Sequence, residues 1–145
     1  MVSLTKPNPV RSIHDLINNT SNWTLTGPLD LGHVDFIVER RATAQVNRPT
    51  ILIQKGDAGN NEEGLPIGVA SWVEQAVYIQ PLMPDQSGAT DDMWSLSREA
   101  QRIIKGNRGA ASGIEWMWLE DSPRTGNLQE PYRGSDVIVT CFWRE

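Results

Sequence analysis

The sequence has the length of one ordinary domain, 145 residues, which lets folding bury roughly two-thirds of the surface that an unfolded chain exposes. Its apolar fraction of 39% and charged fraction of 21% exclude a disordered tail and a membrane protein. The net charge of −5 and a pI near 5.0 argue against a surface that neutralises nucleic-acid phosphates. The single cysteine, Cys141, excludes an intrachain disulfide and a cysteine-rich zinc site.

No targeting or membrane segment is visible in the sequence. The first 20 residues lack the basic start and apolar core of a signal peptide, and no apolar run approaches the roughly 18 residues of a membrane span. We therefore expect a protein that is made and kept in a cytoplasm and that has no membrane partner.

The predicted elements begin with a short helix. Ser12 stands at a position that suits a capping hydroxyl, and the apolar residues that follow share one helix face: Ile13, Leu16 and Ile17. One apolar face predicts that this helix packs against the rest of the domain.

Three runs rich in β-branched and aromatic residues predict strands at 34–41, 50–54 and 69–80. In the third run, two sets alternate across the strand: Val73, Gln75, Val77 and Ile79 on one side, and Trp72, Glu74, Ala76 and Tyr78 on the other. Pro81, Pro84 and Gly88 are expected to end this strand. The polar, glycine-rich segment 57–68 is predicted to be a mobile loop.

A second helix is predicted over 91–105. Its apolar residues fall at a spacing that fits a period of 3.6 residues: Met93, Leu96, Ala100, Ile103 and Ile104. Thr90 is predicted to cap it, with Asp91 and Asp92 in the first turn, Lys105 in the last turn and Gly106 as a left-handed stop.

Two more β runs, at 114–119 and 136–144, are expected to form a hairpin through a long polar connection at 121–134. The whole chain, 1–145, is therefore predicted to be a single α+β domain with the order α-β-β-β-α-β-β. Neighbouring strands favour antiparallel pairing, so we expect one twisted, mainly antiparallel sheet of about five strands, with two helices packed on one face.

No residue pattern indicates catalysis, metal binding or a cofactor, and the sequence predicts that the protein is not an enzyme. His14 and His33 have no partner at a ligand spacing. Cys141 alternates with Val137 and Val139 on one strand face, as a buried residue does. Glycines in the segment 57–68 lack the Lys-Ser/Thr of a phosphate loop. Paired carboxylates at 91–92 and 120–121 are explained more simply by a helix dipole and a turn.

Six tryptophans are the unusual feature of the composition. Core packing is the ordinary role of tryptophan, but Trp116 and Trp118 share one strand face and Trp94 lies off the apolar stripe of its helix. Some indoles should therefore face solvent in a monomer, and exposed aromatic area commonly marks a binding surface.

This order of elements resembles the tail terminator and tail-completion proteins of long-tailed bacterial and archaeal viruses. The resemblance spans the initial helix, three strands, the helix after the Pro-rich turn from Pro81 to Asp92, and a final strand introduced by Tyr132-Arg133-Gly134-Ser135-Asp136. It implies a virion protein, assembled in the host cytoplasm, that forms a ring, usually of six copies. The ring would cap the tail tube and join it to the head connector, with DNA passing through its lumen.

The resemblance and the aromatic residues together suggest these interface candidates: Trp94, Trp116, Trp118, Asp57, Glu62 and Glu63. Two alternatives stay open at this point. One is a head–tail adaptor or another neck protein, and the other is a small-molecule-binding domain or enzyme that uses a Trp-lined pocket.

Overall fold

The fold was analysed in a computed structural model that describes residues 7–38, 46–56, 72–84, 87–119 and 137–144. Within these ranges the main elements are α1 (Pro9–Ile17), β1 (Asp35–Val38), β2 (Thr50–Lys55), β3 (Trp72–Leu82), α2 (Ala89–Gly106), β4 (Trp116–Leu119) and β5 (Val137–Arg144). Two short 3₁₀ turns, Gly27–Leu29 and Leu31–His33, precede β1. The order α-β-β-β-α-β-β confirms the predicted one.

The strands form one five-stranded sheet with the spatial order β1-β2-β3-β5-β4. The pairs β2–β3, β3–β5 and β5–β4 are antiparallel, which confirms a mainly antiparallel sheet. β1 and β2 are parallel, and here the expectation that neighbouring strands pair antiparallel was wrong. Strands that follow each other in sequence are often neighbours in a sheet. Whether they run parallel or antiparallel depends on the path of the segment that connects them.

Both helices lie on the same face of this sheet. α1 packs against β1, β2 and β3, while α2 packs against β3, β4 and β5, and the two helices touch each other. The residues between the layers form a single core, in which the largest fully buried side chains include Ile13, Ile17, Ile51, Ile53, Ile79, Leu96, Ile103, Ile104 and Met117. Each contributes about 1.5–3 kcal/mol relative to an exposed position, so the helix layer is held mainly by this apolar contact.

The start of α1 differs from its prediction. Asn8 is the N-cap, and its side-chain oxygen accepts a hydrogen bond from the Arg11 backbone N–H at 3.2 Å, while Pro9 occupies the first helical position. Ser12 lies inside the helix, where its hydroxyl donates to the Ser112 carbonyl at 2.7 Å. An Asn-Pro pair is a strong start signal, because the capping oxygen and the fixed proline φ both favour the first turn.

α2 is slightly longer than predicted. It follows Gly88, whose φ of 82° is left-handed, and it continues through Gly106 to the C-cap Asn107. Thr90 is therefore a helical residue and not the cap, and Gly106 is not a left-handed stop. The predicted apolar stripe is confirmed, because all five of its residues are buried.

β3 continues through Pro81 to Leu82, beyond its predicted end at Gln80, and it stops before Pro84. The first described residue of β5, Val137, pairs with Ile79, so no described residue of β5 lies opposite Pro81. A missing N–H is tolerated where a strand has edge character. The predicted connections at 57–68 and 121–134, and the end of the first predicted strand at 39–41, lie outside the described residues.

Candidate interaction surface

The candidate surface is built on the sheet face that points away from the helices. Met117 of β4 is fully buried and Leu119 nearly so beneath the helix layer, and because side chains alternate along a strand, Trp116 and Trp118 lie on the opposite face. The antiparallel register places Trp116 beside Phe142 and Trp118 beside Thr140 of β5.

Both indoles of β4 are exposed to solvent. Trp116 has 47% and Trp118 has 57% of its surface accessible, whereas Phe142 and Thr140 are half-buried. Together the two indoles leave about 250 Å² accessible, which would contribute about 6 kcal/mol if it were fully buried. This is a large apolar area for one short strand to leave in water.

Arg108, in the turn after α2, holds the edge of β4 in two ways. Its carbonyl accepts a hydrogen bond from the Met117 N–H at 2.9 Å. Its guanidinium carbon lies 6.0 Å from the ring centroid of Trp116 and 5.7 Å from that of Trp118, within the range of cation–π attraction. The two indoles are thus presented as a fixed pair with a positive group beside them. We call Arg108, Trp116, Trp118, Thr140 and Phe142 the aromatic surface.

A polar pair borders the aromatic surface. The Arg144 Nε lies 3.3 Å from a Glu115 carboxylate oxygen, and both side chains are about half exposed. An exposed ion pair of this kind contributes little stability. An apolar centre with a polar rim is the arrangement found in protein interfaces.

Trp94 is exposed as predicted, with 42% of its surface accessible, but it does not join the aromatic surface. It lies on α2, off the buried stripe, and α2 covers the other face of the sheet. The predicted set is therefore divided between two sides of the domain. Asp57, Glu62 and Glu63 lie outside the described residues.

Two of the remaining tryptophans belong to the core. Trp23 is buried, and its indole N–H donates to the Leu29 carbonyl at 3.0 Å. Trp143 is also buried, and its Nε1–H finds no hydrogen-bond partner among the described residues. The side chain of Trp72 lies outside what the structure describes. The sequence analysis expected only that some indoles face solvent, and it did not assign Trp23 or Trp143 to the core.

Cys141 does not have the environment of a nucleophile. It is fully buried among apolar side chains, and burial raises the pKa of its thiol to about 12. A thiolate is the reactive form of cysteine, and it is a negligible fraction at neutral pH with that pKa. Its prediction as a core residue is confirmed.

Glu99 is a buried charged residue that the sequence reading missed. One carboxylate oxygen accepts from the Thr24 N–H, the Thr24 hydroxyl and the Leu25 N–H at 2.6–3.0 Å, and the other accepts from Arg102 Nε at 2.6 Å. Burial alone raises the pKa of Glu99, but the hydrogen bonds from Thr24 and Arg102 outweigh it and leave the pKa below its ordinary value. A fully bonded carboxylate of this kind joins α2 to the segment before the 3₁₀ turns.

A cavity of about 330 Å³ lies between α1 and β1, lined by Arg11, His14, Phe36, Ile37 and Val38. No tryptophan is among these lining residues, so the alternative of a Trp-lined pocket stays a prediction. Over the described ranges, no cluster of three His, Cys, Asp or Glu residues could hold a metal ion, and none of the helices there is long and apolar enough to cross a membrane.

A scan against models of known protein families finds no match, and a search of curated proteins finds none either.

Proposed function

We propose that this chain is a structural subunit of a tailed-virus particle, a tail terminator whose copies form a ring between the tail tube and the head connector. Two features support the proposal. The order of elements is that of the resemblance drawn from the sequence. The exposed pair Trp116 and Trp118 is the observation that carries it, since an assembly subunit needs apolar area that only a neighbour covers.

The accessible area of the two indoles is too small to form a stable interface by itself. A stable interface buries about 800 Å² on each partner, and the two indoles supply about a third of that. The rest must come from surrounding residues, of which Phe142 and Thr140 are the nearest on β5. The indoles are then the central anchors of a contact between copies, and the Glu115–Arg144 pair is its rim.

The proposal is tested by the mass of the purified protein in solution. Light scattering coupled to size exclusion should give about six times the 16.2 kDa of one chain, and electron micrographs should show closed rings. The double variant Trp116→Ala/Trp118→Ala should shift the population to monomers, because loss of two central anchors costs about 2–4 kcal/mol or more per contact.

Lys55→Ala is the matched control, because Lys55 is exposed at the end of β2, which β3 separates from β5. It should leave the ring mass unchanged. A wild-type protein that stays monomeric at every concentration, or a double variant that assembles as the wild type does, would contradict the proposal. Circular dichroism of the variants checks that the fold itself is intact.

A further inference from the structure

β1 is the edge strand of the sheet at the end opposite β4. It pairs with β2 on one side, and none of the described residues forms a strand on its other side. An edge strand presents backbone donors and acceptors that another extended segment can pair with. The aromatic surface lies at the other edge of the sheet, on β4 and β5, so a site at β1 would be distinct from it.

The register of the parallel pair shows which backbone groups of β1 are open. Asp35 is opposite Thr50, and its N–H donates to the Pro49 carbonyl at 2.9 Å. In a parallel ladder, alternate residues direct both backbone groups to the neighbouring strand, so Asp35 and Ile37 face β2. The N–H and C=O groups of Phe36 and Val38 therefore point to the outer edge.

The cavity between α1 and β1 runs beside this open edge. Three consecutive β1 residues line it, together with Arg11 and His14 of α1, and no described residue of β2 does. The His14 and Phe36 rings meet edge to face at 5.4 Å and form the inner wall. No described residue pairs with the backbone groups of Phe36 and Val38 beside the cavity, which is the geometry of a groove between a helix and an edge strand.

The charge at the groove comes from Arg11. Its side chain is exposed, and no acidic group within the described residues lies at ion-pair distance from it. The carboxylate of Asp15 is engaged instead with the His14 Nδ1 at 2.9 Å. An unpaired guanidinium selects a carboxylate, because Arg–carboxylate hydrogen bonds are charge-assisted and can be bidentate.

From these contacts we propose that the groove between α1 and β1 binds an extended acidic segment of another protein, which adds to the sheet as a strand beside β1. The backbone groups of Phe36 and Val38 pair with the segment, and an alternate side chain of the segment places its carboxylate on Arg11. The inference goes beyond the proposed function and does not depend on it.

The test uses a capped synthetic peptide of four threonine–glutamate repeats, added to the purified full chain. Binding should be saturable, and residue-resolved amide exchange should slow about tenfold or more at Phe36 and Val38, with little change at Asp35 and Ile37. Arg11→Gln should weaken binding about threefold to tenfold, the range expected when one charge-assisted contact is lost.

Three controls separate pairing from charge. A peptide with N-methylated alternate residues cannot pair its backbone and should not bind. A threonine–glutamine peptide should bind more weakly than the acidic one and should not respond to Arg11→Gln. Arg98→Gln, at an exposed arginine of α2, should bind the acidic peptide as the wild type does.

The proposal is overturned if the N-methylated peptide binds as tightly as the parent, or if saturating peptide leaves the Phe36 and Val38 amides unchanged. It is also overturned if those amides are already protected in a concentration-dependent way without peptide, since a second copy would then occupy the edge. The Trp116→Ala/Trp118→Ala variant should bind the peptide normally, so failure here is distinguishable from failure of the ring.

Discussion

Cys141 shows how one residue's chemistry follows from its place on a strand. Its side chain faces the helix layer together with Val137 and Val139, all nearly or fully buried, whereas Thr140 lies on the outer face. Burial excludes solvent and disfavours the charged thiolate, which raises the pKa of the thiol to about 12. The residue is a small core hydrophobe.

At pH 8, a thiol-specific chromogenic reagent should therefore react very slowly with Cys141 in the native protein and rapidly in guanidinium chloride. Thr140→Cys is the matched control, because a thiol one residue earlier faces the open side and should react within the mixing time of a manual assay. Equal reaction rates of Cys141 in the native and unfolded protein would show that the strand's inner face is not sealed.

At the scale of elements, Glu99 connects α2 to the chain 75 positions away at Thr24. Arg102 supports the same junction, since its guanidinium donates both to Glu99 and to the Asn22 carbonyl. A buried carboxylate is tolerable because each of its oxygens has donors at short distance. These bonds hold the residues on both sides of the buried Trp23, namely Asn22 and Thr24.

Glu99→Gln should destabilise the fold by about 2–4 kcal/mol in urea unfolding, because it removes charge-assisted bonds and leaves buried donors poorly paired. Glu115→Gln is the control. That carboxylate is about half exposed in its pair with Arg144, so its loss should change the free energy of unfolding by less than about 0.5 kcal/mol.

The charge of Glu99 makes the free energy of unfolding depend on pH in a predictable direction. The folded pKa of Glu99 lies below the ordinary value of 4.5, so its carboxylate stabilises the fold fully above that value and progressively less as the pH falls through the folded pKa. The difference in the free energy of unfolding between wild type and Glu99→Gln should therefore become smaller below pH 4.5. A gap that stays constant down to pH 2 would show that the charge is not involved.

At the scale of the whole molecule, the two layers separate the exposed tryptophans. Trp116 and Trp118 belong to the open sheet face and Trp94 to the outer side of α2. A closed ring built by head-to-tail contacts joins two different surfaces of each copy. In the proposed ring, the helix layer with the exposed Trp94 is our candidate for the second surface.

Trp94→Ala should accordingly shift the ring towards monomers, as judged by sedimentation velocity over a range of concentrations. The expected loss is about 1–3 kcal/mol per contact, the range for one aromatic anchor. Lys55→Ala, at the exposed end of β2, should sediment as the wild type does. An unchanged ring mass for Trp94→Ala at every concentration would place the second surface elsewhere on the molecule.

Local pattern alone was sufficient for much of this protein. The 3.6-residue spacing of Met93, Leu96 and Ala100 predicted α2 and its buried side, and strand alternation predicted which way Cys141 and Trp116 point. Periodicity succeeds in these cases because it reflects which side of a single element is apolar.

Only the tertiary structure shows which other element each helix or strand contacts. The parallel direction of β1 and β2, the placement of Arg108 over two indoles, the partner of Glu99 and the groove beside β1 all depend on residues distant in sequence. The same holds for the separation of Trp94 from Trp116. A pattern within one element carries no information about which other element lies against it, because that choice is made by the packing of the whole core.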